Sequence, residues 1–180
     1  MTPFRILSKT PSPASVSLSP DALILENRYL KRVIDLKTGM TVSITDGDGR
    51  EVLAGSIREG MVSVDGVQYT LSGPCEIRIL PGNTTEKKFD YIPRPYNTHP
   101  YPYPAPGKIA ELIYERGTLI FKVVYEVFDD MPVMRKSLYM KNASGRTVTV
   151  DAALPSEEER HVGVWGQRRL RYLRDHCPIL

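Results

Sequence analysis

Acid–base hydrolysis can be carried by two carboxyl groups held at a defined separation. The natural suspects here are Glu126 and the Asp129-Asp130 pair. Glu126 falls in a strand-like run in which Tyr125 and Val127 point to the opposite face, and the Asp pair stands where turn-forming side chains are expected. Structural pairing or solvent exposure accounts for them better than catalysis does. His99, His161 and His176 lie far apart, and His176-Cys177 offers only one adjacent pair of ligands, so no metal site is expected. Asp46-Gly47-Asp48-Gly49 resembles the start of a calcium loop but lacks the later oxygen ligands and the closing Glu. It reads as a turn. No cofactor is expected.

A different chemistry is open to the stretch YIPRPYNTHPYPYPAPG, residues 91–107. Tyr91, Tyr96, Tyr101 and Tyr103, with Arg94 and His99, could offer flat apolar rings to pyranose faces, with hydroxyls and cations to orient them. The more ordinary use of such rings is to cover the sandwich, fill gaps around a stiff loop or serve an interdomain contact. Proline withholds ladder donors and favours extended backbone, so the stretch reads as a surface loop.

The elements that would position these residues are strands. From Leu23 to Val150 short β-branched and aromatic runs, many alternating, are cut by Gly, Asp, Asn and Pro. Met40, Val42 and Ile44 are expected on one face of a half-buried strand, with Thr41, Ser43 and Thr45 on the other. Residues 45–51 then turn the chain. Asp65-Gly66 predicts a two-residue hairpin between MVSV and VQYTL. Leu119 to Phe128 reads as a long central strand, turning at 129–132 into a strand over Val133 to Lys141. Asn142-Ala143-Ser144-Gly145 closes a further turn, and Thr147 to Val150 resumes a strand. The fold class expected is all-β: an antiparallel β-sandwich over 21–153, after an N-terminal extension over 1–20. Beyond it, 154–180 is a divergent basic tail, irregular or short-helical, with Leu170 and Leu173 on one side of the helix.

At 180 residues and 41% hydrophobic content the chain can bury the core of one domain and is too short for two comfortable ones. A net charge of +3 gives little instruction about partners. The basic run from Arg168 to Arg174 belongs to no recognised nucleic-acid module, so nucleic acid is not expected. No apolar run is long enough to cross a bilayer, and the first residues lack the build of a secretory signal. That predicts a soluble, cytoplasmic chain. Cys75 and Cys177, the two cysteines, suit a reducing compartment. The sequons at Asn83 and Asn142 would matter only in a secreted eukaryotic protein.

Three segments carry a resemblance. LILENRYLKRVIDLKTGMTVSITDGDGREVL, residues 23–53, resembles the opening of the β-supersandwich domains that precede catalytic barrels in bacterial glycoside hydrolases, especially those of α-galactosidase type. EGMVSVDGVQYTLSG resembles the hairpin that follows. VVYEVFDDMPVMRKSLYMKNASGRTVTVD, residues 123–151, resembles the most recognisable piece: a Tyr-Glu strand, an acidic turn closing on Met131-Pro132, and a basic strand carrying Arg135-Lys136. The likeness covers about residues 23–151 and implies a galactose-mutarotase-like supersandwich. In the resembled enzymes the catalytic carboxylates belong to the barrel, and the Glu-with-histidines set of mutarotases has no match here.

Such domains continue for more strands, and the tail after Asp151 departs from that continuation, as a truncated gene or a change of reading frame would make it do. The resemblance therefore implies a non-catalytic carbohydrate-binding or accessory segment. Its expected partner is carbohydrate, together with a missing catalytic domain or a second copy that covers its open edges. Two alternatives stand beside it: a small stand-alone epimerase or glycosidase using Glu126 or Glu111, and a structural module docking its Tyr/Pro loop on another protein.

Overall fold

The computed structural model describes residues 13–82, 106–129, 131–154 and 170–172. Among them there is no helix; strands in three sheets make an all-β antiparallel sandwich. Sheet I runs β1 (Ser15–Leu18), β2 (Ala22–Glu26), β3 (Leu30–Asp35), β4 (Met40–Asp46) and β5 (Ile57–Arg58), each beside the last. Sheet III is a short three-stranded unit of β6 (Gly60–Val64), β7 (Val67–Leu71) and β12 (Val150–Leu154), with β6 in the middle. The opposing layer, sheet II, has the order β13 (Leu170–Tyr172), β11 (Met134–Asn142), β10 (Leu119–Phe128), β9 (Gly107–Arg116) and β8 (Glu76–Pro81).

Period-two patterning builds the core. Along β10, Leu119, Phe121, Val123, Tyr125 and Val127 turn inward, joined by Ala110, Leu112 and Tyr114 from β9 and Met134, Leu138 and Met140 from β11. Against this face pack Leu23, Leu25 and Ile34 of sheet I and Val62, Val64 and Leu71 of sheet III. The Tyr69 and Phe121 rings meet at 5.4 Å between centroids, tying sheet III to sheet II. Each such large apolar side chain taken from water contributes about 1.5–3 kcal/mol. A smaller cluster of Ile44, Leu53 and Ile57 belongs to sheet I and the loop it encloses.

The turns follow their residues. Asp65 (φ 50°) and Gly66 (φ 75°) both adopt the left-handed backbone that lets a two-residue hairpin match strand twist, so Val64 pairs with Val67 as expected. Asp46 organises its turn by accepting from the amides of Asp48 (3.0 Å) and Arg50 (2.9 Å). Asn142 does the same for Ser144 (2.9 Å) while its Nδ2 donates to the Arg146 carbonyl.

Four features differ from the sequence reading. Simple alternation in β4 fails, because Val33 pairs with Ser43 and Ile34 with Thr41, leaving Val42 as an extra residue. The bulge turns Thr41 inward and Val42, 43% exposed, outward. The strand expected from Thr147 begins only at Val150, since the Thr149 amide donates to the Asp65 side chain and its carbonyl accepts from the Asp65 amide. Within the tail expected to be irregular or short-helical, residues 170–172 form a strand in parallel register with Leu138–Met140. Ser15–Leu18, within the expected extension, is a strand paired to β2.

Candidate functional site

Tyr91, Arg94, Tyr96, His99, Tyr101 and Tyr103 lie outside the described residues. The described residues do define where that interval starts and returns. It opens after Gly82 and closes before Pro106, and the Gly82 amide donates to the Gly107 carbonyl at 2.8 Å. The two glycines nearly touch: a Cβ on Gly82 would lie 2.6 Å from the Gly107 carbonyl carbon, and one on Gly107 would lie 2.0 Å from the Val127 carbonyl oxygen. Side chains cannot occupy either position without moving backbone. Around the stem, the Asp129 amide donates to the Pro106 carbonyl and the Asp129 carboxylate accepts from the Ala14 amide at 2.7 Å. Asn27 Nδ2 donates to the carbonyls of Phe128 and Met131, at 3.0 and 2.8 Å, while its Oδ1 accepts from the amides of Tyr29 and Leu30. One asparagine thus joins the β2–β3 turn to the β10–β11 turn.

Glu111 and Glu126 both face outward on sheet II, on adjacent strands. Glu111 is opposite Val124 in the ladder, so Glu126 is its diagonal neighbour. Neither stands alone. Glu111 Oε1 accepts from Lys122 Nζ at 2.7 Å, and both Glu126 oxygens are held by the Arg135 guanidinium in a bidentate pair. Lys122 also lies 5.5 Å from the Tyr139 ring centre and Arg135 lies 5.8 Å from that of Phe128. Asp129 is occupied by the Ala14 amide, in keeping with its turn role.

Sequence reasoning missed Glu59. It is fully buried between β5 and β6, where the ribbon exchanges β4 for β7 as its neighbour. Gly39 and Gly73 pass there so closely that a Cβ on Gly39 would lie 2.4 Å from the Gly73 nitrogen. The Glu59 carboxylate collects groups from all around. Oε1 accepts from Thr41 Oγ1 at 2.6 Å and lies 3.7 Å from Arg32 Nη2, and Thr41 Oγ1 itself accepts from Arg32 Nε at 2.7 Å. Oε2 accepts from the Tyr125 hydroxyl and lies 3.1 Å from Lys136 Nζ. Both cations also sit over the Tyr125 ring, at 4.8 Å for Arg32 and 5.4 Å for Lys136. Burial alone would raise the Glu59 pKa, but Lys136 and Arg32, helped by the Thr41 and Tyr125 hydroxyls, outweigh it and hold the carboxyl down at about 2.

A signal for this network was present in the sequence. Lys136 shares the inward set of Met134, Leu138 and Met140, and a cation among apolar positions calls for a buried anion. Finding which anion required the topology. Elsewhere in the interior, burial raises the Cys75 thiol and the facing Tyr114 hydroxyl above their ordinary pKa values, which leaves both neutral.

The described residues define a three-sheet antiparallel sandwich with a buried ionic centre and a glycine-clamped hairpin stem. No protein family, curated protein or solved structure matches the chain.

Proposed function

We infer that this chain is a non-catalytic β-sandwich segment of a glycoside-hydrolase-type protein, and that its Tyr/Pro-rich stretch meets carbohydrate. The observation that carries the reading is the stem: the interval holding Tyr91, Arg94, Tyr96, His99, Tyr101 and Tyr103 leaves and rejoins sheet II at the Gly82–Gly107 contact. A recognition loop needs a rigid frame, and this one is braced by Asn27 and Asp129. Tyrosine rings suit sugar faces, with the Arg94 and His99 side chains suited to hydroxyls. The engagement of Glu111 by Lys122 and of Glu126 by Arg135 supports the non-catalytic part. Acetal cleavage takes one carboxyl free to give a proton and a second free to attack or to activate water. Among the described residues β7 and β8 pair on one side only, which favours a catalytic domain or a second copy as neighbour.

The test is a glycan-array screen of the full chain, with calorimetric titration of the retained oligosaccharides into the wild type and a Tyr96→Ala/Tyr101→Ala variant. The expected result is saturable binding that weakens about tenfold or more in the variant, at an unchanged unfolding midpoint. Retention of no glycan would overturn the proposal in favour of a protein-docking module. Turnover of aryl glycosides that Glu126→Gln or Glu111→Gln abolishes would overturn it in favour of an enzyme.

A further inference from the structure

Among the described residues β8 is the last strand of sheet II, and two backbone bonds fix which of its groups face outward. The Gly82 amide donates to the Gly107 carbonyl, and the Asp129 amide donates to the Pro106 carbonyl. Along an antiparallel ladder, hydrogen-bonded and non-hydrogen-bonded pairs alternate. Gly107 therefore bonds toward β8 and Pro106 toward β10, and counting back along the β8–β9 register aims the N–H and C=O groups of Glu76, Arg78 and Leu80 at β9. Those of Ile77 and Ile79 point off the edge of the sheet. The register runs unbroken from Glu76 to Pro81, with no bulge to twist this edge away. Its side chains are open as well: Glu76 is 53% exposed, Arg78 55% and Ile79 41%.

This edge is complementary to itself. Set antiparallel to a copy about a two-fold axis at Ile77, β8 brings Ile77 opposite Ile77, Glu76 opposite Arg78 and Cys75 opposite Ile79. The outward groups of the two Ile77 residues then exchange hydrogen bonds, and each Glu76–Arg78 pair falls at a non-hydrogen-bonded position, where side chains stand closest. Glu76 and Arg78 already pair within the strand at 2.7 Å, so two copies close a ring of alternating charges on the outer face. On the inner face Ile77, packed against the core, meets its own copy, and the exposed Ile79 gains cover from Cys75. Moving the axis to Arg78 would oppose the two guanidinium groups, and moving it to Ile79 would set Arg78 against Leu80. We propose that the chain associates with a second copy through β8, joining two copies of sheet II into one continuous antiparallel sheet. The interface rests on ladder geometry and charge, so it stands or falls independently of the carbohydrate reading.

Sedimentation velocity on the full chain at neutral pH and low salt, from about 5 to about 500 µM, tests the interface. One strand is a small contact, so half-dimerisation is expected at about 100 µM. Arg78→Glu sets Glu76 against an acid in the facing copy, twice over because of the two-fold axis, and should weaken dimerisation about tenfold or more. Glu76→Arg should do the same. The exchanged variant Glu76→Arg/Arg78→Glu should return to within about threefold of wild type, and an equimolar mixture of the two single variants should form a heterodimer. A wild type that stays monomeric at the highest concentration overturns the proposal. So does a dimer indifferent to both single variants, which must use another face, or an exchanged variant that stays as weak as they are, which must use another register. Should one single variant fail to fold, the other carries the same comparison.

Discussion

The two faces of sheet II carry the same chemistry under opposite conditions. On the outer face Glu111–Lys122 and Glu126–Arg135 are pairs with one partner well hydrated: Lys122 is 31% exposed and Arg135 is 42% exposed. On the inner face Glu59, Arg32 and Lys136 have almost no contact with water, and two hydroxyls complete the carboxylate's coordination. An exposed pair gives back little more than hydration supplied, whereas a buried one must be complete or it costs several kcal/mol. Ion pairs that look alike in a contact map therefore do different work. The outer pairs keep a sheet face polar, and the inner group joins layers that also meet through apolar packing and the Asn27 and Asp129 bridges.

The largest effect is expected from removing the inner carboxylate. Glu59→Ala should lower unfolding free energy by about 3–5 kcal/mol, read from urea denaturation at pH 7, because it removes the buried carboxylate that both desolvated cations approach. A loss under about 1 kcal/mol, the size usual for an exposed pair, would erase the distinction between the faces.

Acid sharpens the same contrast. Glu59 has a folded pKa of about 2 against an ordinary 4.5, so its contribution is present in full above pH 4.5 and declines as pH falls toward 2. The shift corresponds to roughly 3 kcal/mol. Subtracting the stability–pH curve of Glu59→Gln from that of the wild type should leave this slope between about pH 4.5 and 2. A flat difference would mean that the carboxylate is not held ionised by its neighbours. The lowered pKa values of Asp35, from the Thr38 amide, and of Glu51, from the Ser43 hydroxyl, act in the same direction, but both are at the surface and cancel in the subtraction.

The outer pairs should yield the smallest effects, and in a set order. Glu126→Gln breaks a bidentate pair with a buried carboxylate and should cost about 1 kcal/mol, whereas Lys122→Met beside Glu111 should cost about 0.5 kcal/mol or less. Raising salt should shrink the second cost but leave that of Glu59→Ala nearly unchanged. A reversed order in the denaturation data would show that burial does not govern these pairs.

Much of the frame was readable residue by residue. The run Leu119–Phe128 forms β10 with those bounds, and Asp65-Gly66 makes its hairpin, because local propensity, alternation and turn chemistry agree there. The β4 faces were not readable, since a bulge at Val42 is set by how β3 pairs, not by β4's own residues. Glu59 was hidden for a related reason. Its partners Arg32, Thr41, Tyr125 and Lys136 come from four strands, and only the meeting of sheets I, II and III at one seam makes a set of them. Lys136 among inward apolar residues was the visible half of the pair.

A double-mutant cycle at Glu59 and Lys136, from chemical denaturation of the wild type, Glu59→Gln, Lys136→Met and the double variant, tests the interlayer ionic centre most directly. Strong coupling, above about 1.5 kcal/mol, with the double variant more stable than Glu59→Gln alone, is the predicted outcome. Additive losses, within about 0.5 kcal/mol, would contradict the claim that this carboxylate binds the two layers through their opposed cations.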